Sequence, residues 1–136
     1  MQNDRKRDLG IAILRVAAGI VFLAHGGQKV FVFGLGAVSS AFAHMGFPVA
    51  GILGPCVALL EFAGGLALIA GLLTRWVSIL FAIEMAVAVL KVHLSGGFFL
   101  PGGFEFAFTM CVVSVALALA GPGAAAIDHL IFKGGA

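Results

Sequence analysis

Four long runs of apolar residues, each separated from the next by glycines, prolines or a lone arginine, set the organisation of this chain. The runs cover about residues 9–31, 49–73, 76–94 and 104–120. A bilayer's hydrocarbon layer is roughly 30 Å thick and takes about 20 helical residues to cross, so each run is of spanning length. Gly34, Gly36, Gly46 and Pro48 punctuate the first connection, Thr74 and Arg75 the second, and Ser95, Gly96, Gly97, Pro101, Gly102 and Gly103 the third; Gly121-Pro122-Gly123 ends the fourth run. A membrane β-barrel needs strict alternation with a polar inner face, which these runs lack. In lipid a continuous apolar run satisfies its own backbone only as a helix. The pattern therefore predicts an all-α integral membrane protein: one domain, a four-transmembrane-helix bundle, with the first connection read as a loop.

Composition agrees. Of 136 residues, 62% are hydrophobic and 10% charged, and the mean hydropathy is +1.17. No water-exposed surface of a domain this small carries that balance, so a lipid bilayer is the expected surrounding. The net charge of +2 does not point to nucleic acid, because much of the basic excess is the run Arg5-Lys6-Arg7. Arg5, Lys6, Arg7, Arg75 and Lys133 flank one membrane side and Lys29 and Lys91 the other, so the positive-inside rule predicts both termini cytoplasmic. A cleaved leader is the competing reading of the N-terminus; Arg15 within the run, and apolar sequence continuing to Phe31 without an early cleavage motif, favour a retained first helix. Ala63, Ala67 and Gly71, beside Gly64 and Gly65, suggest a face on the second span where a neighbouring helix approaches closely.

The informative residues are ionisable groups inside apolar runs, which normally face other protein or a water-filled cavity. Counting along helices places Arg15, Glu61 and Glu84 at depths where they could meet. Two readings stand: the trio holds a proton between its carboxylates, or Arg15 and Glu61 staple two helices together, fixing registry without chemistry. A second group gathers toward the opposite face. His25, Gln28 and Lys29 follow at i, i+3 and i+4, Lys91 lies seven residues beyond Glu84, and Glu105 opens the fourth span; His93 joins them only if its helix has ended. Such donors and acids suit a quinone headgroup, whose carbonyls need hydrogen bonds and whose reduction needs protons. The alternative is interfacial, snorkelling side chains.

No metal site is expected, since HxxxH, HxxE and CxxC pairs are lacking. Haem would require His25 and His93 to face each other, which helical phasing disfavours. Cys56 and Cys111 read as small packing residues, a disulfide being conceivable only if their helices adjoin. No covalently bound cofactor is expected.

The order of several short motifs resembles the DoxX family of small bacterial four-helix membrane proteins. These are Leu14-Arg15; Phe22-Leu23-Ala24-His25-Gly26 with Lys29; Met45-Gly46-Phe47-Pro48; Glu61 with Gly64-Gly65; Gly71-Leu72-Leu73-Thr74-Arg75; His93 with Gly97-Phe98-Phe99; Glu105; and Gly121-Pro122-Gly123 with Asp128. The resemblance implies a multi-pass protein of the bacterial inner membrane and singles out Arg15, His25, Lys29, Glu61, His93 and Glu105; Glu84 and Lys91 lie outside the pattern. The family's name comes from a subunit linked to thiosulfate:quinone oxidoreductase, and other members look like accessory proteins. Three function classes follow: a quinone-linked subunit of a larger redox complex, a non-enzymatic assembly subunit with a Phe-rich docking rim, and a small transporter or proton-coupled channel built as a homo-oligomer.

Overall fold

The computed structural model describes residues 1–132, so Lys133 lies outside the described residues. Among these, helices and turns carry the whole fold and no strand occurs. The elements are α1 (Gln2–Gly27), α2 (Leu35–His44), α3 (Ala50–Ala70), α4 (Thr74–Val87), α5 (Glu105–Ala120) and the single turn α6 (Asp128–Ile131). α1 runs on into a π-helical turn, Gln28–Phe33, and α4 into another, Ala88–His93. With these extensions, 2–33, 50–70 and 74–96 are long and apolar enough to cross a membrane. Two compact units arise, one of residues 19–66 and one of residues 1–18 with the chain from 67 onward.

In the unit of residues 19–66, glycine decides the packing. A Cβ on Gly26 would collide with the backbone N of Phe62, and one on Gly65 with the backbone N of Leu23, so α1 and α3 touch backbone to backbone. Gly64 and Gly65 are buried as expected, but Ala63 is exposed. The buried positions of α3 within this unit include Ala58, Glu61, Gly64 and Gly65, offset from the Ala63-Ala67 stripe that simple four-residue spacing suggested. The first connection is no loop. Residues 35–44 form α2, with Val38 buried and the Ser39 hydroxyl donating to the Leu35 carbonyl at 2.9 Å. Gly54 of α3 lets the α2 backbone lie close, its added Cβ meeting Ser39 Cα at 3.2 Å.

In the other unit, α4 and α5 pack lengthwise, burying Val77, Phe81 and Met85 from one and Ala107, Met110 and Leu117 from the other. α5 has 16 residues, about 24 Å at 1.5 Å per residue, which is short of the hydrocarbon thickness. Its ends are therefore finished by protein. The N–H groups of Phe104 and Glu105 donate to the carbonyls of Gly97 and Phe98 at 2.8 and 2.9 Å. At the other end Arg75 Nη1 donates to Ala118 and Leu119 at 3.1 and 2.8 Å. Irregular backbone at membrane depth is tolerated where other groups satisfy it in this way.

The turn between α3 and α4 is sharper than Thr74-Arg75 suggested. Gly71 adopts φ +72, the Leu72 N–H reaches back to Ala67 at 2.8 Å and the Gly71 N–H to Leu68 at 3.1 Å, a Schellman ending that needs a left-handed residue. Leu73 then stands at the N-cap of α4 without a capping side chain. Asp128, more than fifty positions on, supplies it: its carboxylate accepts from the Leu73 and Thr74 N–H groups at 2.6 and 2.9 Å. An anion at a helix N-terminus satisfies orphan donors and opposes the helix dipole.

Candidate functional site

The close approach at Gly26 sets up an ion pair. Lys29 follows Gly26 by three residues and so leaves the same face of α1, directly over the α3 segment that Gly26 touches. Its Nζ lies 2.5 Å from Glu61 Oε2, with side-chain exposures of 24% and 5%. The π-helical turn starting at Gln28 widens the helix at this point; such turns are rare and concentrate at functional sites. Phe31 meets Phe62 edge to face, centroids 5.4 Å apart, beside the pair. Lys29 also lines a cleft of about 560 Å³ whose other walls are apolar, among them Val32, Phe33, Val38, Phe42 and Met45. A buried charge-assisted hydrogen bond thus opens onto an apolar slot.

His25 lies one turn before Lys29. Its Nδ1 is 2.8 Å from the Val21 carbonyl; since a carbonyl only accepts, the neutral ring carries its proton on Nδ1 and its lone pair on Nε2. Gln28 is exposed at the head of the π-helical turn. Within the other unit, Lys91 and His93 fall in the second π-helical turn, Lys91 exposed and His93 half-buried, and Glu105 is the first residue of α5. The helical run that begins with α4 continues through His93 to Gly96, so the helix has not ended at His93.

Arg15, 2% exposed, donates to main-chain carbonyls of its own unit. Nη1 donates to the carbonyls of Pro122 and Ala124 at 2.5 and 3.4 Å, and Nη2 to Ala125 at 3.1 Å. Glu61 lies in the unit of residues 19–66, where Lys29 is its cation; in the other unit Glu84 is half-buried on α4 and Arg15 holds a loop. The reason is physical. After α5 the chain runs through Gly121, Gly123 and Ala125 at positive φ, so its carbonyls point away from any helical ladder and need donors. The same segment is held by the Ala124 N–H on the Asp8 carbonyl at 3.0 Å, the Ile127 and Asp128 N–H groups on Ala70 and Gly71 at 3.1 and 2.9 Å, and His129 Nε2 on Gly123 at 2.6 Å. Arg15 is the buried centre of this web. It is a structural clamp that reading residue types did not reveal, because backbone carbonyls leave no mark in a sequence.

Cys56 and Cys111 are both free thiols; Cys56 is exposed, and Cys111 Sγ lies 3.5 Å from the Ala82 carbonyl. Among the described residues no group of His, Cys, Asp and Glu is arranged to hold a metal ion.

Long apolar helices with buried ionic side chains define a multi-pass helical membrane protein. The DoxX family model matches residues 10–94, and the chain belongs to the DoxX family. It is 34% identical over 131 residues to a Bacillus subtilis protein named "Putative oxidoreductase CatD", covering 96% of this chain and 93% of that one. It is 31% identical over 137 residues to the Escherichia coli inner membrane protein YqjF, covering 93% and 95%. An uncharacterized Haemophilus influenzae protein is 29% identical over 134 residues, with 96% of each chain covered. No solved structure matches. The helices and the Escherichia coli relative together make this a multi-pass protein of the bacterial inner membrane.

Proposed function

We propose that the chain is a quinone-linked membrane subunit of a redox system, with Lys29 and Glu61 at the quinone. The observation that carries this reading is the Lys29–Glu61 bond opening onto the cleft formed by the π-helical turn and α2. A quinone has a flat apolar ring and tail, which suit Val32, Phe33, Phe42 and Met45, and two carbonyl oxygens, one of which the Lys29 ammonium would bind as donor. Reduction to the quinol adds two electrons and two protons. Electrons come from a partner oxidoreductase, and protons arrive through the ionisable pair and His25, whose imidazole can both accept and donate a proton. The name of the Bacillus subtilis relative supports a redox setting.

Titrating purified protein with a short-chain ubiquinone should give saturable binding, and Lys29→Met and Phe42→Ala should each weaken it by about tenfold, the worth of one charge-assisted hydrogen bond or one well-packed aromatic side chain. Affinity that ignores both substitutions removes the reading.

We also infer that both termini lie in the cytoplasm, as Arg5, Lys6, Arg7 and Arg75 on one side outweigh Lys29 and Lys91 on the other. A fluorescent reporter that matures only in the cytoplasm should light up when fused at either terminus; a periplasm-dependent phosphatase active at the same junctions would reverse the orientation.

A further inference from the structure

A second cavity, of about 420 Å³, lies in the unit of residues 1–18 and 67–132, where α1 begins, α4 begins and α5 ends. That volume is within the roughly 300–1,000 Å³ of small-molecule sites. Its chemically active lining is Asp8, Thr74, Arg75, Trp76, Asp128 and His129. None of these belongs to the quinone cleft.

The commitments of each group decide what fits. Asp128 spends both carboxylate oxygens on the Leu73 and Thr74 N–H groups, so the α4 N-terminus is already occupied and its dipole opposed. Arg75 spends Nη1 on Ala118 and Leu119, which leaves the Nε and Nη2 hydrogens of the guanidinium fork for a planar or tetrahedral oxyanion. His129 places Nε2 on the Gly123 carbonyl, so a neutral ring offers Nδ1 as an acceptor. The Asp8 side chain has only a 3.4 Å contact with its exposed neighbour Arg7. Thr74 is fully buried, and its hydroxyl has no hydrogen-bond partner among the described residues. The cavity therefore offers one cationic donor, one carboxylate, one neutral acceptor and one buried hydroxyl. A purely anionic ligand would meet Asp8 and Asp128 as like charges, and a purely cationic one would meet Arg75. A zwitterion meets neither objection.

Depth identifies the source. Trp76, 69% exposed, and Phe132 stand at the rim, the position of interfacial aromatic residues at headgroup level. We propose that this cavity binds the headgroup of a zwitterionic aminophospholipid, its phosphodiester on Arg75 and its primary ammonium between Asp8 and the His129 ring, with the acyl chains leaving past Trp76. Mixed charge distinguishes the site from the basic clusters that collect anionic lipids.

Full-length protein should be delipidated in detergent and titrated with phosphatidylethanolamine, phosphatidylglycerol or soluble glycerophosphoethanolamine, with native mass spectrometry counting bound adducts. The expected result is one retained phosphatidylethanolamine, preferred over phosphatidylglycerol by about tenfold. Asp8→Asn should abolish that preference while the thermal midpoint stays at the wild-type value, since the long-range bond at this position is to the Asp8 backbone carbonyl and its side chain pairs, among the described residues, only with the exposed Arg7 next to it. Arg75→Lys should keep the charge, lose the fork and weaken retention. Equal retention of the two lipids, or an unchanged preference in Asp8→Asn, overturns the proposal; displacement by glycerophosphoethanolamine at equal concentration overturns the lipid as its source.

Discussion

Arg15→Leu should lower stability by about 4 kcal/mol, read as a fall in the thermal midpoint of the detergent-solubilised protein. Three carbonyls, those of Pro122, Ala124 and Ala125, would lose their charged donor, and each buried acceptor left without a partner costs about 1–3 kcal/mol. Leucine cannot fill the whole space, and the segment 121–127, at positive φ in three places, has no helical ladder to fall back on. Because that segment also carries Asp128, loss of the clamp should loosen the cap on α4. Arg15→Lys should recover only part of the loss, since one ammonium cannot serve three carbonyls with the geometry of a planar fork. A wild-type melting curve for Arg15→Leu would show that the clamp carries little of the fold's stability.

How much was legible in the sequence follows from what residue types encode. The spanning helices were legible because lipid demands long apolar runs, and the runs are uninterrupted. α2 was hidden: Gly34, Gly36, Gly46 and Pro48 flank Leu35–His44 so densely that turn chemistry outweighed the Leu35, Val38 and Phe42 spacing of a helical face. That buried charges need company was also legible, but not which company. Depth counting treats a side chain as a point at its Cα, whereas the flexible stem of Lys29 reaches along α1 to Glu61 once Gly26 brings α3 close. The hydrogen-bond acceptors of Arg15 were not legible, because they are main-chain carbonyls of Pro122, Ala124 and Ala125, in and just after a stretch that a sequence presents only as a Gly-Pro-Gly stop. Asp128 stood out only through its place in the family pattern, since a cap supplied from more than fifty residues away leaves no local signature.

The Lys29–Glu61 bond allows stability and function to be separated in one set of variants. Glu61→Met should lower stability by about 3–5 kcal/mol, because it strands an ammonium beside apolar walls. Lys29→Met should also lower stability, because it leaves the buried Glu61 carboxylate, 5% exposed, without its donor. Lys29→Met combined with Glu61→Met should restore most of the lost stability, because two apolar side chains of similar size replace a pair whose desolvation opposed its attraction. The coupling energy from the four thermal or denaturant midpoints should then be about 2 kcal/mol, and a value near zero would mean that the pair does not act as a unit. The same double variant decides what the pair is for. If Lys29 is there to bind a quinone carbonyl, the restored fold should still fail to bind short-chain ubiquinone; if the pair only fixes the register of α1 on α3, binding elsewhere should survive. A stable double variant with wild-type quinone affinity would leave the pair a structural staple and move the search for the quinone site away from this cleft.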